Sequence, residues 1–219
     1  ENSLLVSWDV VAMFPNIDNN LGINAVIEAL QARPVKFPST DCIVEAVEIC
    51  LKHNNSFFKD DNFLQIHGTA MGSKCAPPFA SIYMGDFEIS KILPLSFAIM
   101  LWVRFIDDVF FIFTGTETEL NELFQKINDL HPTIKFTFEY SQKEIHYLDT
   151  NLHIGPDRKI YTTLYTKPTD TFSLLHFNSY HPLTTKTSII YSQALRYRML
   201  TTRDEDLIPA LENLEWVLT

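Results

Sequence analysis

The segment from Val103 to Phe113, VRFIDDVFFIF, places two adjacent acids between two runs of β-branched and aromatic residues. Runs of this composition are typical of strands, so the segment predicts a β-hairpin with Asp107 and Asp108 at a tight turn. Such turns favour Asn-Gly or Asp-Gly, because a positive φ costs little there. A turn that breaks this preference is typical of a functional site, although two solvated turn acids would give the same sequence.

A third acid, Asp9, interrupts the apolar run LLVSWDVV at residues 4–11, which predicts a buried strand. A buried carboxylate needs a partner; the alternative is an Asp facing the surface on an edge strand. Between the two acidic segments, HGTAMGSK at residues 67–74 spaces two glycines four apart before a helix. This spacing lets a ligand or a backbone approach closely, although a plain structural turn would also explain it.

The order of predicted elements indicates an α+β protein with an antiparallel sheet, helices on one face and a βαββαβ-like order. Such a sheet sets the first strand beside the acidic hairpin, so that Asp9, Asp107 and Asp108 converge. Capping and periodicity predict helices over 20–33, 40–53, 78–87, 117–130, 184–202 and 204–218. Further strands are predicted over 56–66, as a hairpin turning at 60–62, and over 134–140, 145–154 and 159–166.

Composition is that of a folded globular chain: 219 residues, 46% hydrophobic and 20% charged. The most apolar window, Leu95–Thr114, carries three central charges, which argues against membrane insertion. No signal peptide opens the chain, and its start at Glu1, directly before a strand-like run, predicts an excerpt of a longer protein. Cys42 and Cys50 are predicted to be small core residues, and with Cys75 they form an odd set typical of a reducing compartment.

The net charge of −10 argues by itself against a nucleic-acid partner, but its distribution is uneven. Residues 204–219 carry five acids and no base, and a basic cluster comes before them: Lys186, Arg196, Arg198 and Arg203. This cluster is either a solvated face or a phosphate-contacting surface.

Three carboxylates within about 4 Å of each other would repel by roughly 4 kcal/mol per pair at an effective dielectric near 20. They therefore need a counter-charge, and a small set of oxygen ligands favours Mg²⁺, which keeps waters and binds substrate phosphates. Two such ions would activate an attacking hydroxyl and stabilise a leaving pyrophosphate.

Three motifs resemble, in order and spacing, the palm motifs of reverse transcriptases: DVVAMF at 9–14, GTAMGS at 68–73 running into Ala76-Pro77, and FIDD at 105–108. The second motif, together with IHYLD at 145–149, YTKPTD at 165–170 and NSYHP at 178–182, is similar to the Penelope-like retroelement group, relatives of telomerase. The resemblance extends from about residue 4 to about residue 206.

This resemblance implies an RNA-directed DNA polymerase that transfers nucleotides from dNTPs to a DNA primer on an RNA template, with two Mg²⁺ ions or, alternatively, Mn²⁺. Residues 1–170 would form the palm with a partial fingers insertion at about 20–66, and residues 171–219 the start of a helical thumb or connection. No membrane partner is expected. Action in the nucleus is expected from the resemblance alone, and the sequence does not indicate an oligomeric state.

The resemblance also implies roles for single residues. Asp9 and Asp107 would ligate both metals, with Asp108 in support and the Val10 carbonyl as a further ligand, and Phe14 would be the gate against a ribose 2′-OH. The nucleotide-binding residues would be Gly68, Met71, Gly72 and Ser73. Contacts to nucleic acid would come from Lys167, Lys186, Arg196 and Arg198. Either Lys135 or Lys143 would protonate the pyrophosphate.

The sequence departs from the family pattern in several places. The basic fingers that precede the first motif and the GIY-YIG endonuclease common in this group are not recognisable, and the thumb is partial. His67 and Met71 stand where other reverse transcriptases carry Gln. Two other functions therefore stay open: a catalytically silent nucleic-acid-binding remnant, and another palm-type nucleotidyl enzyme such as a cyclase.

Overall fold

A computed structural model describes residues 3–171 and 174–218, with side chains up to residue 215. The chain divides into two compact units, one containing residues 8–138 and the other containing residues 4–7 and 139–219. We describe each unit by itself. Within the described residues, no helix is long and apolar enough to cross a membrane.

The first unit carries the acidic segments. Its strands are β1 (Leu4–Val10, whose first four residues belong to the second unit), β2 (Asn55–Phe58), β3 (Asp61–Leu64), β4 (Ile99–Phe105) and β5 (Asp108–Phe113). Its helices are α1 (Met13–Asn16), α2 (Asn19–Ala32), α3 (Thr40–Lys52), α4 (Ala76–Phe87) and α5 (Glu117–Asp129). A π-helical turn, Glu88–Ile92, and a 3₁₀ turn, Leu93–Leu95, follow α4 directly.

One four-stranded sheet has the order β4-β5-β1-β6, where β6 is Phe136–Ser141, so β1 lies between the acidic hairpin and β6. Side chains alternate along β1: Trp8 and Val10 are buried, whereas Asp9 between them is exposed. The ring of Trp8 contacts aromatic rings at centroid distances of 4.8 Å (Phe111) and 5.4 Å (Phe136), which builds the core against one sheet face. At this end of β1 the opposite face of the strand carries the exposed Asp9.

Local capping signals place the helix starts of this unit. The Asp18 side chain accepts hydrogen bonds from the amides of Asn20 and Leu21 at the start of α2. At α5 the predicted capping box is confirmed, because Thr116 and Glu119 each bind the other's backbone amide.

The boundary between the units falls within β6, whose residues from Glu139 onward belong to the second unit. The second unit also contains a three-stranded sheet of β7 (Glu144–Tyr147), β8 (Thr150–Ile154) and β9 (Ile160–Leu164). Two helices follow, α6 (Leu183–Leu200) and α7 (Asp204–Leu218). They pack through a small apolar cluster: Leu164, Leu174, Ala194, Tyr197, Leu207, Ala210, Leu211 and Leu214.

The α+β prediction with an antiparallel sheet is confirmed, and three finer predictions are wrong. The hairpin predicted to turn at 60–62 turns at Lys59 and Asp60, because Phe58 pairs with Asp61. The run 145–154 forms two strands, because Leu148 takes a positive φ of 53° and turns the chain there. Cys42 and Cys50 are exposed, since α3 buries only Leu51 fully and turns both cysteines away from the core.

Candidate active site

The acidic hairpin turns one residue earlier than the sequence predicts. Phe105 pairs with Asp108 across the β4–β5 hairpin, so the two turn residues are Ile106 and Asp107, and Asp108 is the first residue of β5. Ile106 has a φ of +56°. This conformation costs a β-branched residue more than it costs the glycine that such turns favour. The site is therefore built on a strained turn.

A backbone hydrogen bond connects the end of β1 with this turn. The Val10 amide donates to the Asp107 carbonyl at 3.1 Å, and the Val11 amide donates to the Lys135 carbonyl at 2.9 Å. Asp9 is the residue directly before this bond, on the exposed face of β1. The sheet thus brings Asp9 to the turn that carries Asp107, whereas the convergence of all three acids, with Asp108, stays a prediction.

The electrostatics of Asp9 reflect this arrangement. Partial burial among its neighbours raises the pKa of the Asp9 carboxyl above its usual 3.8, and repulsion from the Asp107 carboxylate raises it further. The prediction of a buried Asp9 is wrong, because the residue lies on the solvent side of the strand. The alternative of an edge strand is also wrong, because β1 has a neighbour on each side.

The carboxylates offer the hard oxygen ligands that Mg²⁺ prefers. Among residues 3–171 and 174–218, no group of three or more His, Cys, Asp or Glu side chains is arranged to hold a metal ion. Mg²⁺ needs no such group, since it is usually bound through one or two carboxylates, with waters and substrate phosphates completing its shell. The pair Asp9 and Asp107, two oxygen ligands that repel each other, fits this ion.

The segment His67–Lys74, here called the glycine turn, is tied to the helix that carries Phe14. The Thr69 amide donates to the Phe14 carbonyl at 2.9 Å. Gly68 has a φ of +69°, and a Cβ there would lie 2.5 Å from the Pro15 carbonyl oxygen and 2.6 Å from that of Phe14. Gly68 is therefore needed so that two backbone segments can meet.

The second glycine of the turn has a different environment. Gly72 has a φ of +94°, and nothing lies within 4 Å of the position its Cβ would take. Met71 beside it is 72% exposed, and the Ser73 amide donates to the Ala70 carbonyl at 3.2 Å. Open space over a glycine next to an exposed side chain leaves this end of the turn accessible to a ligand.

The basic residues of the second unit are mostly engaged on its surface. Arg196 forms an ion pair with Asp149 at 2.9 Å, and Arg198 forms one with Asp204 at 2.8 Å. Lys186 lies over the Phe177 ring at 5.3 Å. Lys167 is exposed in the turn that follows β9.

Of the two lysines considered as acids, Lys135 is bound within the first unit. Its ammonium donates to the carbonyls of Asn128 and His131 at the end of α5. Lys143 is exposed in the turn between β6 and β7 of the second unit. The choice between them stays a prediction.

Sequence reasoning missed Arg104 and Glu88. The Arg104 guanidinium donates through Nε to Glu88 Oε1 at 2.6 Å and through Nη1 to the Ile106 carbonyl at 2.9 Å, next to Asp107. Arg104 itself could have indicated this contact, because a charged residue inside an apolar strand needs a partner. The partner lies 16 residues earlier, where no local pattern indicates it.

Comparison with solved structures places this fold among polymerases. Telomerase from Candida albicans in complex with the TWJ fragment of telomeric RNA is 10% identical with a TM-score of 0.65, over 89% of this chain and 34% of that chain. Apo telomerase from Candida tropicalis is 11% identical with a TM-score of 0.63, over 88% and 35%. A structure described as an RdRp complex is 15% identical with a TM-score of 0.61, over 94% and 20%.

The fold is therefore that of a polymerase palm, an antiparallel sheet with helices. The chain spans about a third of the telomerase chains that it matches. A family model, the animal helix-turn-helix domain, matches residues 173–219. The described part of that segment contains α6 and α7 with a short connection at 201–203. Comparison with curated protein sequences finds no match.

Proposed function

We propose that this chain is the palm of an RNA-directed DNA polymerase related to the Penelope-like retroelements. The observation that carries the proposal is the Val10–Asp107 hydrogen bond, which brings Asp9 beside the Ile106–Asp107 turn in a polymerase palm fold. The residues of the three palm motifs support a reverse transcriptase over the other polymerases that share this fold. The telomerase complexes with telomeric RNA support RNA as a partner.

In this proposal, Asp9 and Asp107 hold two Mg²⁺ ions, with Asp108 in support and the Val10 carbonyl as a further ligand. When bound, the ions supply activation of the primer 3′-hydroxyl and stabilisation of the leaving pyrophosphate. Binding of a cation also removes the repulsion between Asp9 and Asp107. The repulsion between the two carboxylates therefore favours the metal-bound state of the site.

The other groups position the nucleotide. The Phe14 ring, on the helix tied to the glycine turn, stands against the sugar and excludes a 2′-hydroxyl. Gly72, with open space above it, lets the base pair approach the backbone, and Met71 and Ser73 flank that contact. Gly68 contributes by holding the turn to the Phe14 helix.

The test is primer extension on an RNA template with Mg²⁺ and dNTPs, using this chain and a version extended at both ends. Incorporation that needs template, Mg²⁺ and deoxynucleotides supports the proposal. An extended version that is folded but inactive contradicts it. Cyclisation of ATP without a template would instead indicate a palm-type cyclase.

Replacing Phe14 by Ala is expected to reduce discrimination between dNTP and rNTP by about 10- to 100-fold, because the pocket loses the ring that excludes the 2′-hydroxyl. The measurement is the ratio of kcat/KM for the two nucleotides. Phe37→Ala is a matched control, since that ring is 87% exposed in the same unit. Unchanged discrimination between dNTP and rNTP in a folded Phe14→Ala protein would show that Phe14 does not exclude the 2′-hydroxyl.

Binding of an RNA–DNA duplex is expected to weaken with salt, with a slope reduced by about one for each phosphate contact that is removed. Lys167→Ala and Lys186→Ala should each reduce the slope more than Arg196→Ala or Arg198→Ala. Both arginines already pair with a carboxylate, and their removal frees that acid. Fluorescence anisotropy at several salt concentrations measures the slopes, and equal slopes for all four variants would contradict this order.

A further inference from the structure

The hairpin turn that carries Asp107 is held at both of its carbonyl groups. The Asp107 carbonyl accepts from the Val10 amide at 3.1 Å, and the Ile106 carbonyl accepts from Arg104 Nη1 at 2.9 Å. The first contact belongs to the sheet. The second comes from a side chain two residues before the turn, which the sheet itself does not require.

Arg104 is held in turn by the helical layer of the same unit. Its Nε donates to Glu88 Oε1 at 2.6 Å, and its Nη2 donates to the Ser81 carbonyl of α4 at 3.2 Å. The Arg104 and Glu88 side chains are 11% and 9% exposed. Burial raises the pKa of the Glu88 carboxyl, and the guanidinium acts against this rise. A buried ion pair contributes little net stability, because desolvation offsets its attraction. Its stronger effect is to fix a geometry.

The geometry in need of fixing is that of Ile106. Its φ of +56° is unfavourable for a β-branched residue and persists only where the surroundings enforce it. The peptide that joins Ile106 to Asp107 is planar, so a bond to its carbonyl also sets the direction of the Asp107 amide. Arg104 therefore acts on one of the two peptides that flank Asp107, and the Val10 amide acts on the other.

We propose that Arg104, held by Glu88, is a positioning residue that keeps the strained Ile106–Asp107 peptide in the orientation that presents Asp107 beside Asp9. The catalytic consequence rests on the proposed polymerase function, whereas the effect on the turn is measurable without metal or nucleotide. In this arrangement a glycine at position 106 would adopt the turn without help.

The test uses Arg104→Lys, which keeps the charge but replaces the three separate nitrogens that contact Glu88, Ile106 and Ser81 with a single one. In this chain, without metal, NMR hydrogen exchange should show the Val10 amide losing protection about 10-fold. The Thr69 amide, bonded to Phe14 in the same unit, should keep its protection and serves as the control. Adding Ile106→Gly to Arg104→Lys should restore protection at Val10.

Glu88→Gln is the second variant, because it keeps an acceptor for Arg104 and removes the negative charge. Like Arg104→Lys, it should reduce the protection of the Val10 amide from exchange. In the extended polymerase, Arg104→Lys should lower kcat about 10- to 100-fold with little change in KM for dNTP, and Ile106→Gly should recover most of it.

Unchanged Val10 exchange in Arg104→Lys overturns the proposal whatever the activity. Equal loss at Val10 and Thr69 overturns it as well, since it would show a general structural role. So does failure of Ile106→Gly to restore protection. If no form extends a primer but the exchange pattern appears, the polymerase proposal fails and the positioning of the turn stands.

Discussion

Asp107→Asn is expected to abolish Mg²⁺-dependent primer extension in the extended version of this chain, by about a thousand-fold or more. The loss follows because a cation bound in the site contributes several kcal/mol of transition-state stabilisation, and each 1.36 kcal/mol is tenfold in rate. The measurement is single-turnover incorporation on an RNA template. Activity of Asp107→Asn near that of the unchanged protein would contradict the assignment of Asp107.

The chain offers a matched control for this variant. In the β2–β3 hairpin, Lys59 has a φ of +54° and is followed by the exposed Asp60, the same arrangement as Ile106 and Asp107. Asp60→Asn removes an acid from the equivalent turn position in the same unit and should leave extension unchanged. A comparable loss in both variants would indicate a general effect of charge instead of a site.

Asp107→Asn, which is expected to lower activity, is expected to increase stability. The folded-state pKa of Asp9 is raised, so its stabilising contribution exists at low pH and is lost as pH rises through that pKa. At neutral pH without metal, Asp107→Asn should therefore raise the Tm slightly, by no more than about 3 °C, because Asp9 is exposed and its repulsion is screened.

Calorimetry at pH 7 and near pH 3, with and without Mg²⁺, separates these effects. The Tm difference should disappear at the lower pH, and Mg²⁺ should stabilise the unchanged protein more than Asp107→Asn. A variant that is less stable than the unchanged protein at pH 7 without Mg²⁺ would show that Asp107 is not repelled by Asp9.

Gly68→Ala is expected to destabilise the first unit by about 3 kcal/mol or more. A left-handed φ costs an L-residue about 1–2 kcal/mol, and overpacking adds about 1–3 kcal/mol. Both apply here, since the φ is +69° and the added Cβ would meet two backbone carbonyls that cannot rotate away. Urea unfolding of this chain measures the difference.

Gly72→Ala is the control for that experiment. At Gly72 the φ of +94° makes an alanine conformationally unfavourable, but the added Cβ would meet no atom within 4 Å, so overpacking adds no cost. The expected loss of stability is about 1–2 kcal/mol. Equal destabilisation by the two substitutions would show that the contact between Gly68 and the Phe14–Pro15 backbone does not contribute.

Much of the fold was predictable because its signals are local. Helix α5 begins where Thr116 and Glu119 form a capping box, and α7 has the predicted bounds, Asp204–Leu218. The pairing of the first strand with the acidic hairpin was also predictable, because the order of elements limits the topologies of such a sheet. These features depend on residues within a few positions of each other, or on element order.

Other features depended on contacts between distant segments. The alternation of β1 turns Trp8 into the aromatic core and leaves Asp9 on the exposed face, which an apolar run does not reveal. The position of the acidic turn depends on the register of β4 and β5, and a shift of one residue reverses every side chain.

By itself, the sequence determined the order of the elements, the capped start of α5 and the approach of Asp9 to the turn of Asp107, because capping, periodicity and element order are readable from the chain. Only the tertiary structure decided that Ile106 bears the strain of the turn and that Arg104 reaches both its carbonyl and Glu88. A positive φ on a β-branched residue is locally unfavourable, so it arises only where packed neighbours enforce it. The contacts that orient Asp107 are therefore set by the assembled unit.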